Sequence, residues 1–159
     1  MAEVEKKSIV VGVDDSEQSV YALEWTLDHL IASFHGNSPF KLFLVHARPT
    51  ASSVLCITGP GAAEVLPMVE TDLKKTGARA LEQAKALCQS RAVCDFEAEM
   101  VEGDARNVLC EATERHAAEI LVVGSHGYGA IKRAVLGSVS DHCAHHAKCT
   151  VMIVKKPKH

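Results

Sequence analysis

The sequence lacks any apolar stretch near the roughly 20 residues needed to span a membrane. Its charged first residues are not followed by an apolar run of the length found in signal peptides. Basic residues are not in excess, since 17 Lys and Arg stand against 20 Asp and Glu and the net charge is −3. Nonspecific nucleic-acid binding requires a positive field. We therefore expect a cytoplasmic protein, with the nucleus as the alternative, that binds neither membranes nor nucleic acid.

The Cys-x-x-Cys motif is also missing, because none of the six cysteines lies in such a pair. Cytoplasmic thiols are more often buried than joined in disulfides. We therefore expect buried thiols at these positions, which are Cys56, Cys88, Cys94, Cys110, Cys143 and Cys149.

What the sequence does contain is an alternation of strand and helix patterns within one domain, residues 1–159, without repeats or a linker. Strands are predicted at residues 8–14, 41–47, 93–101, 119–123 and 150–154, with a helical pattern between each strand and the next. Unbroken apolar runs in most of them indicate a sheet covered on both faces. The pattern predicts an α/β fold with a five-stranded parallel sheet and helices on both faces. Residues 48–67, which contain three prolines, are predicted to form a surface loop.

A glycine-rich segment lies between the fourth predicted strand and the next helix. It contains Gly124, Gly127 and Gly137, followed by Ser138 and Ser140. The first N–H groups of a helix have no partner within the helix and lie at the positive end of its dipole, so this position is typical of phosphate sites. Glycines let the backbone approach a ligand, and serine hydroxyls add donors. The segment is not a Walker loop, since no lysine follows its second glycine, and it is not a dinucleotide fingerprint.

Two aspartates, Asp14 and Asp15, follow the first predicted strand. Either Asp15 or Ser16 suffices to cap the next helix, which leaves Asp14 free for a ligand. A simple helix start is the alternative explanation of the pair. Ligands of parallel sheets bind beyond the carboxyl ends of the strands. Asp14 and the glycine-rich segment therefore face one crevice if the first and fourth strands are neighbours.

A run of histidines and cysteines from His142 to Cys149 raises the question of a metal site. His142 and His146 share a helix face, and imidazole and thiolate ligands suit zinc or copper. The competing explanation is that Cys143 lies in a buried stripe flanked by the histidines, and we therefore assign no metal ligands. His126 has no partner base or nucleophile in the sequence, so it is expected to belong to the binding loop and no catalytic residue is assigned.

Four features are typical of one known family, and they are the glycine-rich segment, Asp14, Val45–Ala47 and the closing Val151–Val154. In these features the sequence resembles the universal stress protein family over residues 6–156. It looks like a plant-type, single-domain member of the ATP-binding branch. The resemblance implies a Rossmann-like, adenine nucleotide alpha hydrolase-like fold with strand order 3-2-1-4-5. It also implies a set of nucleotide-binding residues, which are Val13 and Ala47 at the adenine, Asp14 at the ribose, Gly124, His126 and Gly127 along the ribose and α-phosphate, and Gly137, Ser138, Val139 and Ser140 at the outer phosphates.

The resemblance further implies a stress-response protein that binds ATP, or AMP or ADP, with occupancy acting as a regulatory or dimer-linked signal. Mg²⁺ or Mn²⁺ would be held mainly through the phosphates. A homodimer is expected through Thr150–Val154, because an apolar edge strand leaves backbone groups unpaired. Hydrolysis is expected to be slow at most. The alternatives are an ATP-using hydrolase or nucleotidyl transferase, and a redox-dependent chaperone that uses the cysteines.

Overall fold

The structure is a computed structural model that describes residues 5–55, 61–125 and 137–157. Its strands are β1 (Lys7–Gly12), β2 (Phe40–Arg48), β3 (Phe96–Glu102), β4 (Ile120–Gly124) and β5 (Thr150–Val154). Its α-helices are α1 (Glu17–Thr26), α2 (Ala51–Leu55), α3 (Ala62–Ser90), α4 (Ala105–Arg115) and α5 (Ser138–His146). None of the described helices is both long and apolar enough to cross a bilayer.

All five strands are parallel and form one sheet in the order β3-β2-β1-β4-β5, which confirms the predicted fold class. Helices α1 and α3 cover one face of the sheet, and α4 and α5 cover the other. Successive side chains of a strand point to opposite faces. Ile9 and Val11 therefore lie in the core beneath α1 and α3, whereas Val10 lies in the core beneath α4 and α5. Burial on both faces explains why the apolar residues of β1 are consecutive.

The first helical segment continues irregularly beyond α1. A π-helical turn at Leu27–Ile31 and a 3₁₀ turn at Ala32–Phe34 follow it. The chain then turns away through His35 and Gly36, whose φ angles are 51° and 85°. Phe34, at the end of this segment, is 43% exposed.

The prediction of a surface loop over residues 48–67 is wrong in part, because α2 lies within this range and α3 begins at Ala62. Pro67 is therefore inside a helix. It lacks the N–H that would bond to the carbonyl oxygen of Ala63, four residues earlier. The surrounding residues are exposed, so water can reach that oxygen, and this end of α3 tolerates a residue that usually marks a loop.

Candidate functional site

The candidate site lies where β1 and β4 end. These strands are neighbours, with Val11 opposite Val122, so Asp14 and Gly124 follow adjacent strands. A common crevice for Asp14 and the glycine-rich segment required the first and fourth strands to be neighbours, and this is the observed arrangement. The order of strands in the sheet reverses between β1 and β4, and parallel sheets bind ligands at such a position.

Asp14 is half-buried and holds the start of α1 in place. Its Oδ1 accepts hydrogen bonds from the Ser16 N–H, at 2.8 Å, and from the Ser16 hydroxyl. Ser16, rather than Asp15, is the N-cap of α1, and its hydroxyl oxygen accepts from the Ser19 N–H. The Asp14 Oδ2 atom has no hydrogen-bond partner among the described residues. One carboxylate oxygen of Asp14 is thus used in folding, and the other is available to a ligand.

Gly124 allows α1 to pack against the end of β4. A Cβ atom at Gly124 would lie 2.9 Å from the backbone carbon and oxygen of Gln18, in the first turn of α1. Real side chains do not pack that closely on a backbone, so this glycine has a packing role apart from any contact with a ligand. Gln18 also accepts hydrogen bonds at Oε1 from the Ser125 hydroxyl and the Lys156 N–H, both at 3.4 Å.

The carbonyl oxygen of Ser125 connects the two ends of the glycine-rich segment. It accepts hydrogen bonds from the Gly137 N–H, at 2.6 Å, and from the Ser140 hydroxyl, at 2.9 Å. The Ser140 hydroxyl also lies 3.0 Å from the Gly137 carbonyl oxygen, and Ser140 is 2% exposed. Its hydroxyl hydrogen is therefore used inside the protein. Any role of Ser140 at a phosphate belongs to its backbone N–H.

The N-terminus of α5 has the unpaired donors that the sequence predicted. Its N-cap is Gly137, which has no side-chain acceptor to offer the helix. The N–H groups of Ser138, Val139 and Ser140 have no acceptor among the described residues. Three such groups at the positive end of a helix dipole offer hydrogen-bond donors suited to an anion.

The structure brings most of the predicted site residues to one edge of the sheet. Asp14 follows β1, Ala47 lies near the end of β2, and Gly124 ends β4. The residues predicted to bind the outer phosphates lie at the start of α5. His126 and Gly127 lie outside the described residues, so their predicted roles stay predictions.

The backbone hydrogen bonds between the β1 segment and β2 end at Val13. The Val13 N–H donates to the Val45 carbonyl oxygen at 2.9 Å, just past the last paired residues of β1. The Val13 carbonyl oxygen accepts from His46 Nδ1 at 2.8 Å. His46 is buried, and a Cβ atom at Gly77 of α3 would lie 2.7 Å from its Cδ2. The backbone of Ala47 therefore lies beyond the paired part of the two strands.

The histidines of α5 do not assemble into a metal site, since the described residues contain no group of three side chains that would ligate a metal. The rings of His142 and His146 stack, with centroids 4.1 Å apart. Nδ1 of His146 donates to the His142 carbonyl oxygen at 2.9 Å. Cys143 is fully buried in the core beneath α4 and α5, as the buried-stripe explanation predicts.

The thiols are unevenly buried. The prediction of buried cysteines is confirmed for Cys88 and Cys143, but it is wrong for Cys94, which is exposed. Cys110 and Cys149 are half-buried, and Cys56 lies outside the described residues. Burial raises the pKa of Cys143 to about 12 and that of Cys88 to about 11. Both thiols are therefore protonated at neutral pH and are poor nucleophiles.

Sequence reasoning did not predict the contacts of Gln18 and His46. His46 is a polar residue within the apolar run of β2, and this position indicates that its ring needs a hydrogen-bond partner inside the protein. Gln18 gives no such signal, because a glutamine in the first turn of a helix is usually exposed.

Comparison with known proteins agrees with the observed fold. The sequence model described as "Universal stress protein family" matches residues 6–155 of the chain. The chain belongs to the universal stress protein family.

Two relatives from Arabidopsis thaliana illustrate its place in the family. The chain is 32% identical to universal stress protein PHOS34 over 96% of its own length, and it spans 63% of the length of that protein. It is 31% identical to a universal stress protein A-like protein over 85% of its length, and covers 77% of that relative. Among solved structures, a universal stress protein family protein from Arabidopsis thaliana with AMP bound is 28% identical, with a TM-score of 0.68 and coverage of 95% of this chain and 92% of that one.

Proposed function

We propose that the chain binds adenine nucleotides and that nucleotide occupancy acts as a regulatory signal in a stress-response protein. The observation that carries the proposal is the start of α5. There, three backbone N–H groups without acceptors among the described residues lie at the same edge of the sheet as Asp14. Helix N-termini bind phosphate, and a free carboxylate oxygen accepts hydrogen bonds from ribose hydroxyls. Two elements thus match two parts of one nucleotide.

In this proposal each part of the nucleotide has its own residues. The adenine lies beside Val13 and Ala47, and the ribose hydroxyls donate to Asp14 Oδ2. The remaining residues contact the ribose and the phosphates. Those along the ribose and the α-phosphate are Gly124, His126 and Gly127. Those at the outer phosphates are Gly137, Ser138, Val139 and Ser140.

The Arabidopsis thaliana relative with AMP bound supports the choice of an adenine nucleotide. ATP is proposed as the working ligand, because the start of α5 offers donors for more than one phosphate. AMP and ADP are the alternatives.

A Mg²⁺ or Mn²⁺ ion fits this site as an ion carried by the phosphates. The described residues contain no group of three metal-ligating side chains, and Asp14 Oδ1 is already used by Ser16. Mg²⁺ keeps several waters and takes few protein ligands when it accompanies a nucleotide. When bound, the ion would neutralise part of the phosphate charge.

Hydrolysis, if present, is proposed to be slow. Turnover separates a regulatory binding protein from an ATP-using enzyme, since enzymes typically release product at about 1–10³ per second. A redox-dependent chaperone gains no support from Cys88 and Cys143, whose raised pKa values keep them protonated.

The first prediction is that adenine nucleotides stabilise the fold. A ligand at about a hundredfold excess over its dissociation constant adds about 2.7 kcal/mol to the free energy of unfolding. In a domain of this size that raises the melting temperature by roughly 5–10 °C. We expect this shift with ATP and Mg²⁺ in protein refolded free of nucleotide, and a much smaller shift with CTP. An unchanged melting temperature at millimolar ATP and AMP rejects the proposed function.

A further inference from the structure

We propose that His46 is a positioning residue that keeps the backbone of Ala47 free to recognise the nucleobase. The inference rests on the proposed nucleotide site. It adds a physical reason why β1 and β2 stop pairing at this edge of the sheet.

The direction of the Ala47 backbone follows from its neighbours in β2. The Arg48 carbonyl oxygen accepts from the Gly103 N–H, on the β3 side, at 2.9 Å. The Val45 carbonyl oxygen accepts from the Val13 N–H, on the β1 side. Because successive backbone groups of a strand point to alternate sides, Ala47 directs both its N–H and its carbonyl oxygen toward the β1 side.

A parallel ladder that continued by one more step would pair the Ala47 N–H with the Val13 carbonyl oxygen. That hydrogen bond is absent from the described residues, and the same oxygen accepts from His46 Nδ1 at 2.8 Å. Since a carbonyl oxygen only accepts, Nδ1 carries the hydrogen. His46 thus occupies the acceptor that would otherwise pair with Ala47. Among the described residues, the Ala47 N–H and carbonyl oxygen have no hydrogen-bond partner, and they form an adjacent donor and acceptor at the crevice.

Packing holds the His46 ring in this position. The residue is 7% exposed. A Cβ atom at Gly77 would lie 2.7 Å from His46 Cδ2, 2.9 Å from His46 Nε2 and 2.8 Å from the Met100 methyl group. The glycine therefore lets α3 close directly over the ring, and the orientation of Nδ1 is set by the core before any ligand binds.

An adjacent backbone donor and acceptor match the edge of adenine, whose N1 accepts and whose amino group donates a hydrogen bond. The phosphate donors lie at the start of α5, and the carboxylate of Asp14 lies between β1 and α1, whereas Ala47 lies in β2. The proposed role of His46 therefore concerns the base, and a loss specific to the base separates that role from one in folding alone.

Two variants with the same number and branching of side-chain heavy atoms test the inference. In His46→Asn, the amide nitrogen stands near the place of Nδ1 and can still donate to Val13, whereas His46→Leu has no donor. Both variants lack the ring atoms Cε1 and Nε2. A cavity therefore forms at the same place in both, and its effect cancels when the two are compared. Calorimetric titration with AMP, and with ribose phosphate as the ligand without a base, measures the two parts of the site separately.

We expect His46→Leu to bind AMP about tenfold more weakly than the wild-type chain, with ribose phosphate affinity changed by less than about twofold. His46→Asn is expected to retain most of the AMP affinity. Hydrogen exchange supplies a second readout, because the Ala47 amide should become protected in the free His46→Leu variant as the ladder extends.

Three results would overturn the inference. They are unchanged AMP affinity in His46→Leu, equal losses for AMP and ribose phosphate, and equal behaviour of the Leu and Asn variants. A wild-type chain that binds neither ligand instead rejects the underlying nucleotide function.

Discussion

At the scale of single residues, two side chains of the proposed site each have one polar atom held by a hydrogen bond within the protein. Asp14 accepts from Ser16 at Oδ1, while Oδ2 has no partner among the described residues. His46 donates from Nδ1 to Val13. Groups held in this way would be oriented before the proposed nucleotide arrives, so that its binding would cost less side-chain entropy.

Asp14→Asn tests the proposed contact with the ribose. The asparagine side-chain oxygen still accepts from Ser16, so the start of α1 is expected to fold normally, but the free carboxylate oxygen becomes an NH₂ donor. We expect AMP affinity to fall by about tenfold, or about 1.4 kcal/mol. The analogue of AMP that lacks both ribose hydroxyls should bind the variant and the wild-type chain alike.

The control is Asp15→Asn, which makes the same change of charge at the exposed neighbouring residue. Calorimetry on both variants decides the prediction. If Asp15→Asn weakens AMP binding as much as Asp14→Asn, the effect is one of general charge and the ribose contact is rejected.

At the scale of secondary-structure elements, α5 differs from two other helices in its N-cap. In α1 the cap is Ser16, and in α4 it is Asp104, whose side chain accepts from the Arg106 N–H at 2.9 Å. In α5 the cap is Gly137, which has no side chain to accept from the helix. A serine or aspartate at this position would pair with one of the N–H groups that a phosphate needs. The uncapped end is therefore consistent with a ligand as the missing acceptor.

Ser138→Pro tests whether these backbone donors hold the phosphates. Proline is tolerated at the first position of a helix, where its missing N–H costs no helical hydrogen bond. Gly137 already has φ −65° and ψ 160°, which suit the residue before a proline. We expect the fold to survive and ATP affinity, measured by calorimetry, to fall by about tenfold.

Ala105→Pro makes the same change at the first position of α4, where Asp104 has φ −70° and ψ 130°. This control should leave ATP affinity unchanged. Ser138→Ala removes the hydroxyl and keeps the N–H, so it should bind ATP better than Ser138→Pro. Equal loss in Ser138→Ala and Ser138→Pro would assign the contact to the hydroxyl and contradict the backbone cradle.

At the scale of the whole molecule, the two edges of the sheet differ in character. β3 carries Glu97, Glu99 and Glu102, whereas Thr150–Val154 carries no charge. Charged residues protect an edge strand from pairing with another chain, and an apolar edge has no such protection. The Val154 carbonyl oxygen accepts from the Ser125 N–H on the β4 side, so alternation directs the N–H of Ile153 toward the open edge. We propose that two copies of the chain pair through β5 about a two-fold axis.

Ile153→Pro tests this homodimer. The substitution removes a donor that points away from β4, so the monomer's own ladder should persist while the pairing between chains is lost. Sedimentation at micromolar concentration should show a dimer for the wild-type chain and for the control Ile153→Val, and a monomer for Ile153→Pro. A monomeric wild-type chain rejects the dimer, and a dimeric proline variant rejects this interface.

The sequence by itself determined the elements of the sheet and predicted where a site would lie. Consecutive apolar residues in β1 and β4 predicted strands buried on both faces, and the strand predicted at residues 150–154 matches β5 residue for residue. The glycine-rich segment that ends at Gly137 predicted the start of α5. These features are local, because apolar periodicity and the unpaired donors of a helix end are properties of short segments. The helices within residues 48–67 were missed, because three prolines and two glycines outweighed a weak helical pattern.

Tertiary structure alone decided which backbone and side-chain atoms are free at the site. The close approach of Gln18 to Gly124, and that of Gly77 to His46, join residues far apart in the chain. The hydrogen bond from His46 to Val13 likewise exists only because β1 and β2 are adjacent. Such contacts depend on how helices dock on the sheet and on the order of its strands. That docking is set by the packing of the whole core, and no local pattern of residues encodes it.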